Sequence, residues 1–214
     1  MPTTLIAGAS HGIGLETVKA ALAAGYTVRA LARTAHAIAL DSPRLEKVPG
    51  DALDPTTIAR ALDGADAVVQ ALGVPVTPET VLKGTTLFSQ ATRVLVDGMR
   101  ALGVRRLIAV TGIEAGDSRG SAGFVHARVL FPIILQRIYE DKTVQENIIK
   151  SSGLVWTIVR PAMLTNGPAT GRYHVLTDAK SWRGGFISRR DVADFLIGQL
   201  ANPSCIGKTP LLVS

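Results

Sequence analysis

Short apolar runs alternate with longer segments of helical spacing along this chain. Thr4-Leu5-Ile6-Ala7 is the first run and ends at Gly8. A helix-like segment follows Gly14, and Tyr26 to Ala32 then forms a second apolar run closed by Arg33. Arg44 to Asp51 predicts a third strand ending at an acid. Asp54-Pro55 has the form of an N-cap followed by proline in the first helical turn, with Thr56 to Leu62 as the helix. Asp66 to Gly73 is continuously apolar through its middle, the pattern of a parallel strand covered on both faces. Val74 to Thr80, with Pro75 and Pro78, predicts a loop. Between Thr86 and Leu102 the positions Leu87, Phe88, Ala91, Val94, Leu95, Met99 and Leu102 recur at helical spacing. Arg106 to Thr111 is a fifth strand, and the glycine-rich stretch from Gly112 to Gly123 predicts a mobile loop or substrate-side lid. A long helical region from Val125 to Ser152 contains Pro132, expected to kink or divide it. Leu154 to Arg160 is a sixth strand, followed by Pro161. Beyond it, Arg172 to Leu176 predicts a short strand, Ser188 opens a helix carrying Phe195, Leu196 and Leu200, and Thr209 to Val213 predicts a closing strand.

This alternation predicts an α/β fold: a doubly wound parallel sheet with helices on both faces, of the Rossmann kind. No linker and no repeat divides the chain. The expected organisation is one domain over residues 1–214, with a small substrate-side portion from about 112–135 and 162–187. In such sheets the ligand lies outside the carboxyl ends of the strands, where strand order reverses. The candidate positions therefore lie just past each strand: Gly8, Arg33, Asp51, Leu72-Gly73, Thr111 and Pro161.

Composition narrows the partners. Lys plus Arg is 23 and Asp plus Glu is 17, a net charge of +6, which favours anionic ligands such as phosphates. The charges are scattered, with only Arg105-Arg106 and Arg189-Arg190 adjacent, so no nucleic-acid footprint is expected. The single cysteine, Cys205, rules out an intrachain disulfide and a cysteine-based metal site, and a reducing, cytoplasmic location is expected. The four histidines stand apart with no metal-ligand spacing, so no metal is expected. No signal peptide is visible, and Val129 to Leu135 is too short to span a bilayer, so no membrane partner is expected. Monomer and homodimer are both left open.

The first turn carries the sharpest chemistry. Gly8-Ala9-Ser10-His11-Gly12-Ile13-Gly14 follows an apolar strand and opens a helix. Glycines in that context let a pyrophosphate approach the amides of a helix N-terminus, with Gly14 keeping the helix close to the sheet. Arg33 stands where proteins that bind NAD usually carry an acid for the ribose 2′-hydroxyl. A 2′-phosphate needs a cation there instead, so the candidate cofactor is NADPH. A solvated surface arginine is the alternative. Asp51 is placed to accept from an adenine amino group beside Ala52 and Leu53, or else to cap a helix. Ala71-Leu72-Gly73 offers small residues where backbone approaches a ribose. Phe124, His126, Phe131, Tyr139, Met163 and Trp182 are candidates to line an acceptor pocket.

These residues together resemble an atypical short-chain dehydrogenase/reductase, of the NAD(P)-binding group that includes NmrA-like proteins and flavin reductases of the biliverdin-IXβ reductase type. The resemblance rests on the glycine turn, on Gly50-Asp51-Ala52-Leu53-Asp54, on Lys142 to Glu146 leading into Ser152 to Pro161, and on Gly171-Arg172-Tyr173 with Ile187 to Ala193. It implies NADPH binding by Gly8, Ser10, His11, Gly12, Ile13, Gly14, Arg33, Asp51, Ala52, Leu53, Ala71, Leu72 and Gly73, with the nicotinamide between Thr111 and the stretch Pro161-Ala162-Met163-Leu164.

Oxidoreductases of this kind use a serine or threonine, a tyrosine, and a lysine four residues after it. Thr111 and Lys142 match the first and last, but the tyrosine position is Ile138, and Tyr139 stands only three residues before the lysine. Residues three and four apart share a helix face, so Tyr139 remains a catalytic candidate beside Thr111 and Lys142. An electron-poor acceptor can be protonated by water once hydride arrives, so a flavin, quinone or similar conjugated carbonyl compound suits this site better than a simple ketone. The expected function is an NADPH-dependent oxidoreductase acting on a small molecule. The alternative is an NAD(P)-sensing regulatory protein without turnover.

Overall fold

In the computed structural model, residues 1–75, 77–112 and 127–214 are described, with side chains at all of these except 81 and 127–136. The first half alternates β1 (Thr3–Ala7), α1 (Gly12–Ala23), β2 (Thr27–Ala32), β3 (Leu45–Pro49), α2 (Pro55–Leu62) and β4 (Ala67–Gln70). It continues with α3 (Pro78–Lys83), α4 (Leu87–Ala101), β5 (Arg106–Val110) and α5 (Ala127–Lys150). The remainder is β6 (Val155–Pro161), β7 (Met163–Thr165), β8 (His174–Leu176), β9 (Phe186–Ser188), α6 (Arg189–Ala201) and β10 (Leu211–Val213).

The main sheet runs β3-β2-β1-β4-β5-β6-β10-β8, parallel except that β8 is antiparallel to β10, and β7 and β9 form a small parallel pair. This is the expected doubly wound α/β fold. Adjacent strand residues point to opposite faces, and the core divides accordingly. Ile6, Val28, Val69, Ile108 and Val159 join Val18 of α1 and Leu196 of α6 on one face. Leu5, Leu31, Val68, Leu107 and Ile158 join Ile58 of α2, Leu95 of α4 and Ile149 of α5 on the other. Both faces being covered explains why these strands read as unbroken apolar runs.

The chain order reverses between β1 and β4, both neighbours in the sheet. That crevice lies at the carboxyl ends of β1 and β4, immediately beside Gly8 and Ala71.

The Asp54 cap is present: its carboxylate accepts from the amides of Thr56 (3.1 Å) and Thr57 (3.0 Å) and from the Thr57 hydroxyl (2.6 Å). These bonds, the Thr57 hydroxyl first among them, hold its pKa below the usual carboxylate value.

Two sequence expectations are corrected. The expected loop ending at Thr80 instead enters α3. Thr77 caps it, accepting from the Thr80 amide at 3.2 Å, while the Thr77 amide donates to the Thr80 hydroxyl at 2.8 Å. Pro78 was read as a breaker, but it occupies the first turn, where its missing N–H costs nothing. The second correction is α5, which runs through Pro132 without division.

Candidate functional site

The glycine turn is dictated by contacts that admit no side chain. Gly8 adopts φ +89° as β1 ends, and a Cβ there would lie 2.6 Å from the Ala71 carbonyl oxygen. A Cβ on Gly14 would lie 2.1 Å from the Gly8 carbonyl oxygen, so α1 rests directly on the turn. Gly12 opens the helix at φ +60°. His11 is the N-cap residue but makes no side-chain cap, and no acid stands in the first turn. The leading amides of α1 are thus left to an external acceptor, and the helix dipole favours an anion. Ser10 Oγ and His11 Nδ1 pair at 2.9 Å beside this turn.

A cleft of about 450 Å³ extends from the turn across the ends of β2, β3 and β4. Gly8, Ser10, His11, Arg33, Asp51, Ala52, Leu53, Leu72 and Gly73 all line it, together with Thr34, Gly50 and Leu87. Arg33 is exposed at its edge. Asp51 does not cap a helix, since Asp54 does so; one Asp51 oxygen accepts from the Leu53 amide at 3.0 Å, and the residue is exposed. The donor set suits a dinucleotide: a Cβ-free cradle for the pyrophosphate, a guanidinium at the ribose end, and a carboxylate at the adenine end.

Past β5 and β6, beyond the residues that line this cleft, the expected catalytic residues are held by side-chain contacts. Thr111 follows β5 and is buried; its hydroxyl donates to Glu146 Oε1 at 2.8 Å. Arg160, on β6 just before Pro161, donates to the same carboxylate from Nε (2.9 Å) and Nη2 (2.6 Å). Glu146 and Arg160 are both fully buried, and Lys150 Nζ reaches Glu146 Oε2 at 3.4 Å. This two-pronged pair ties α5 to β5 and β6. Sequence reasoning missed it because its members are scattered along the chain and no local spacing links them.

Lys142 lies one turn before Glu146 on α5, with its Nζ 4.0 Å from the centre of the Phe88 ring. Burial pushes its pKa down to about 8, against the pull of Asp141 and Glu146, which favour the charged form. Asp141 itself is turned to α4, accepting from the Phe88 amide at 2.8 Å. Ile138, at the expected tyrosine position, is buried against Phe88. Tyr139 instead reaches the end of β5: a Cβ on Gly112 would lie 3.0 Å from its ring and 3.4 Å from its hydroxyl.

The remaining expected residues divide. Met163 is 48% exposed and Leu164 partly exposed. Pro161 is buried at the end of β6, where it pairs with Leu212. Ala162 is buried in the core and its amide donates to the Leu212 carbonyl at 2.9 Å. Trp182 is a correction: it is a core residue, with Nε1 donating to the Leu176 carbonyl at 2.9 Å and its ring 5.1 Å from the Arg160 guanidinium, and not a pocket wall. The expected lid, Phe124, His126 and the Phe131 side chain lie outside the described residues.

A parallel sheet reversing at β1/β4, with a glycine turn opening α1 at that point, defines a Rossmann dinucleotide-binding domain. The chain belongs to the NAD(P)H-binding family, whose model matches residues 8–203. Among curated relatives, it is 32% identical over 153 residues to YhfK of Bacillus subtilis, described as an uncharacterized sugar epimerase, covering 68% of this chain and 62% of that one. The chain thus spans less than two thirds of that relative. It is 25% identical over 210 residues to the NAD(P)H azoreductase of Xenophilus azovorans, covering 93% of this chain and 63% of that one. Solved structures share the fold: ChuY, an anaerobilin reductase of Escherichia coli O157:H7, superposes with TM-score 0.80 at 24% identity over 100% of this chain and 97% of that one. Among the described residues no helix is long and apolar enough to cross a membrane.

Proposed function

We propose that this chain is an NADPH-dependent reductase that passes hydride to a flavin, a quinone or a similar conjugated carbonyl compound. The observation that carries this reading is the cleft at the carboxyl ends of β1 to β4. It presents bare backbone and Arg33, and past the next two strands in the sheet Thr111 and Arg160 share the Glu146 carboxylate, with Lys142 and Tyr139 on the same helix as Glu146. Bound NADPH supplies a hydride at its nicotinamide ring. The turn from Gly8 to Gly14 holds the pyrophosphate, Arg33 the 2′-phosphate, and Asp51 with Ala52 and Leu53 the adenine. Lys142 holds the nicotinamide ribose through its ammonium, which stays mostly protonated below about pH 8.

Thr111 is engaged with Glu146, and the tyrosine position holds Ile138, so the proton is left to water. That suits an acceptor whose conjugation stabilises the reduced anion. An azo compound and a bilin, the substrates for which the similar azoreductase and ChuY are named, are both conjugated systems, which supports the same class of acceptor.

The test is to follow NADPH absorbance with purified protein and a panel of flavins, quinones and small carbonyl compounds. Net oxidation with a flavin or quinone and little with simple ketones is expected. Tight NADPH binding without turnover on any acceptor would overturn the enzyme reading in favour of cofactor sensing. Conversion of a nucleotide sugar with no net loss of NADPH would favour an epimerase.

A further inference from the structure

Two adjacent arginines open α6, and they are treated differently. Arg190 pairs with Glu16 of α1, Nε to Oε2 at 3.4 Å, and its side chain is 52% exposed. Arg189 is half-buried and has no carboxylate partner among the described residues; its Nη1 donates to the amide oxygen of Asn166 at 2.8 Å. That bond fixes the guanidinium without neutralising it. Its Nε lies 4.0 Å from where a Cβ on Gly12 would stand, against the first residue of α1. The same place has the uncapped leading amides of α1 and no acid in the first turn. Within the α6 first turn the only acid is Asp191, and both its oxygens are taken: they accept from the Thr170 amide (2.7 Å), the Gly171 amide (2.9 Å) and the Ser188 hydroxyl (2.8 Å). A fixed cation thus faces the positive end of a helix and, among the described residues, is paired with no carboxylate, an arrangement that an anionic ligand would stabilise.

We propose that Arg189, oriented by Asn166, binds the pyrophosphate of the dinucleotide from the side opposite the glycine turn. The inference rests on the cofactor reading above. It assigns to the C-terminal part of the chain a share of the pyrophosphate contact that the turn between β1 and α1 was expected to supply alone. The two arginines then have separable duties: Arg33 reads the 2′-phosphate and Arg189 the pyrophosphate that NADPH, NADH and ADP have in common.

The experiment measures dissociation constants of wild type, Arg189→Ala, Asn166→Ala and Arg33→Ala for NADPH, NADH, ADP and adenosine 2′-monophosphate, by calorimetry at fixed salt. Arg189→Ala is expected to weaken NADPH, NADH and ADP by a similar factor, about tenfold or more, the loss typical of a charged hydrogen bond. It should leave adenosine 2′-monophosphate, which has no pyrophosphate, within about twofold. Asn166→Ala should give a smaller loss of the same pattern, and Arg33→Ala should weaken NADPH and adenosine 2′-monophosphate while leaving NADH and ADP within about twofold. Unchanged ADP and NADPH affinity in Arg189→Ala would overturn the proposal alone. Equal weakening of all four ligands would also overturn it, because that marks a general disturbance of the cleft. Wild type that binds no dinucleotide would overturn this proposal and the cofactor reading together.

Discussion

The two regions expected to form the cofactor site are made of different materials. At the expected phosphate end the decisive atoms belong to the backbone: Gly8 and Gly14 leave no room for a Cβ, Gly12 takes φ +60°, and the amides of α1 are presented by chain direction. At the expected reacting end, past β5 and β6, the decisive atoms belong to side chains brought from β5, α5 and β6, held by a buried carboxylate and guanidinium. A backbone cradle tolerates change around it as long as its glycines remain. A buried charge network is sensitive to any partner's loss, because the survivor is left as an uncompensated charge.

Ranked by expected size, the largest effect should come from Glu146→Gln. Removing the charge that faces Arg160 should lower stability by about 3–5 kcal/mol, measured by chemical denaturation. A loss below about 1 kcal/mol, the range of an exposed pair, would mean that the reacting end does not depend on that pair. Next comes Gly14→Ala, which drives a methyl into the Gly8 carbonyl and should cost about 1–3 kcal/mol. Its NADPH affinity should fall more steeply than its melting temperature suggests, since the displaced turn is the cradle itself. Unchanged affinity would break the claim that backbone builds the phosphate end.

Arg33→Ala should remove a preference for NADPH over NADH of about tenfold, the scale of one charge-assisted contact. Competition binding reads the ratio, and a wild type that prefers NADH would refute the assignment.

A fourth test sharpens the reacting end through pH. Burial places the Lys142 pKa at about 8, below its usual value. A lowered lysine pKa means that between about pH 8 and the ordinary lysine value the unfolded chain holds more protons than the folded one. The group's contribution to stability therefore rises with pH through that window and is least favourable below it. Ammonium-dependent binding of the nicotinamide ribose runs the other way and weakens above pH 8. Lys142→Met should flatten both curves, and curves unchanged by the substitution would remove Lys142 from the site.

The smallest effect is expected from Tyr139→Phe: less than about threefold in rate with a flavin or quinone acceptor, where loss of a general acid would cost about 10²–10⁴. A loss of that larger size would make the Tyr139 hydroxyl, which lies by Gly112, the proton donor.

Legibility in the sequence followed the same division. The strands were readable because two covered faces make runs such as Leu5-Ile6-Ala7 and Val68-Val69 continuously apolar. The Asp54-Pro55 cap and the glycine turn were readable because their contacts are local. Thr77-Pro78 was misread because the same proline that breaks a helix interior begins one, and only the Thr77–Thr80 bonds distinguish the two cases. Trp182 was misplaced because an aromatic in a polar, glycine-rich segment gives no sign of which wall it meets. Glu146 and Arg189 gave no signal of their roles: one is four residues beyond Lys142 on an ordinary helix, the other the first of two adjacent arginines that local pattern does not tell apart.

By itself, then, the sequence determined what depends on neighbours along the chain: strand and helix order, the sheet's double cover, and a turn that only glycine can make. The tertiary structure decided what depends on distance in sequence. It buried Glu146 against Arg160 and Thr111, set Lys142 over Phe88, turned Ile138 inward and Tyr139 toward Gly112, and brought Arg189 from α6 to the start of α1. The physical reason is that backbone conformation is fixed by local sterics and hydrogen bonding, whereas the pairing of buried charges is fixed only when the whole sheet and its two helical layers have closed around them.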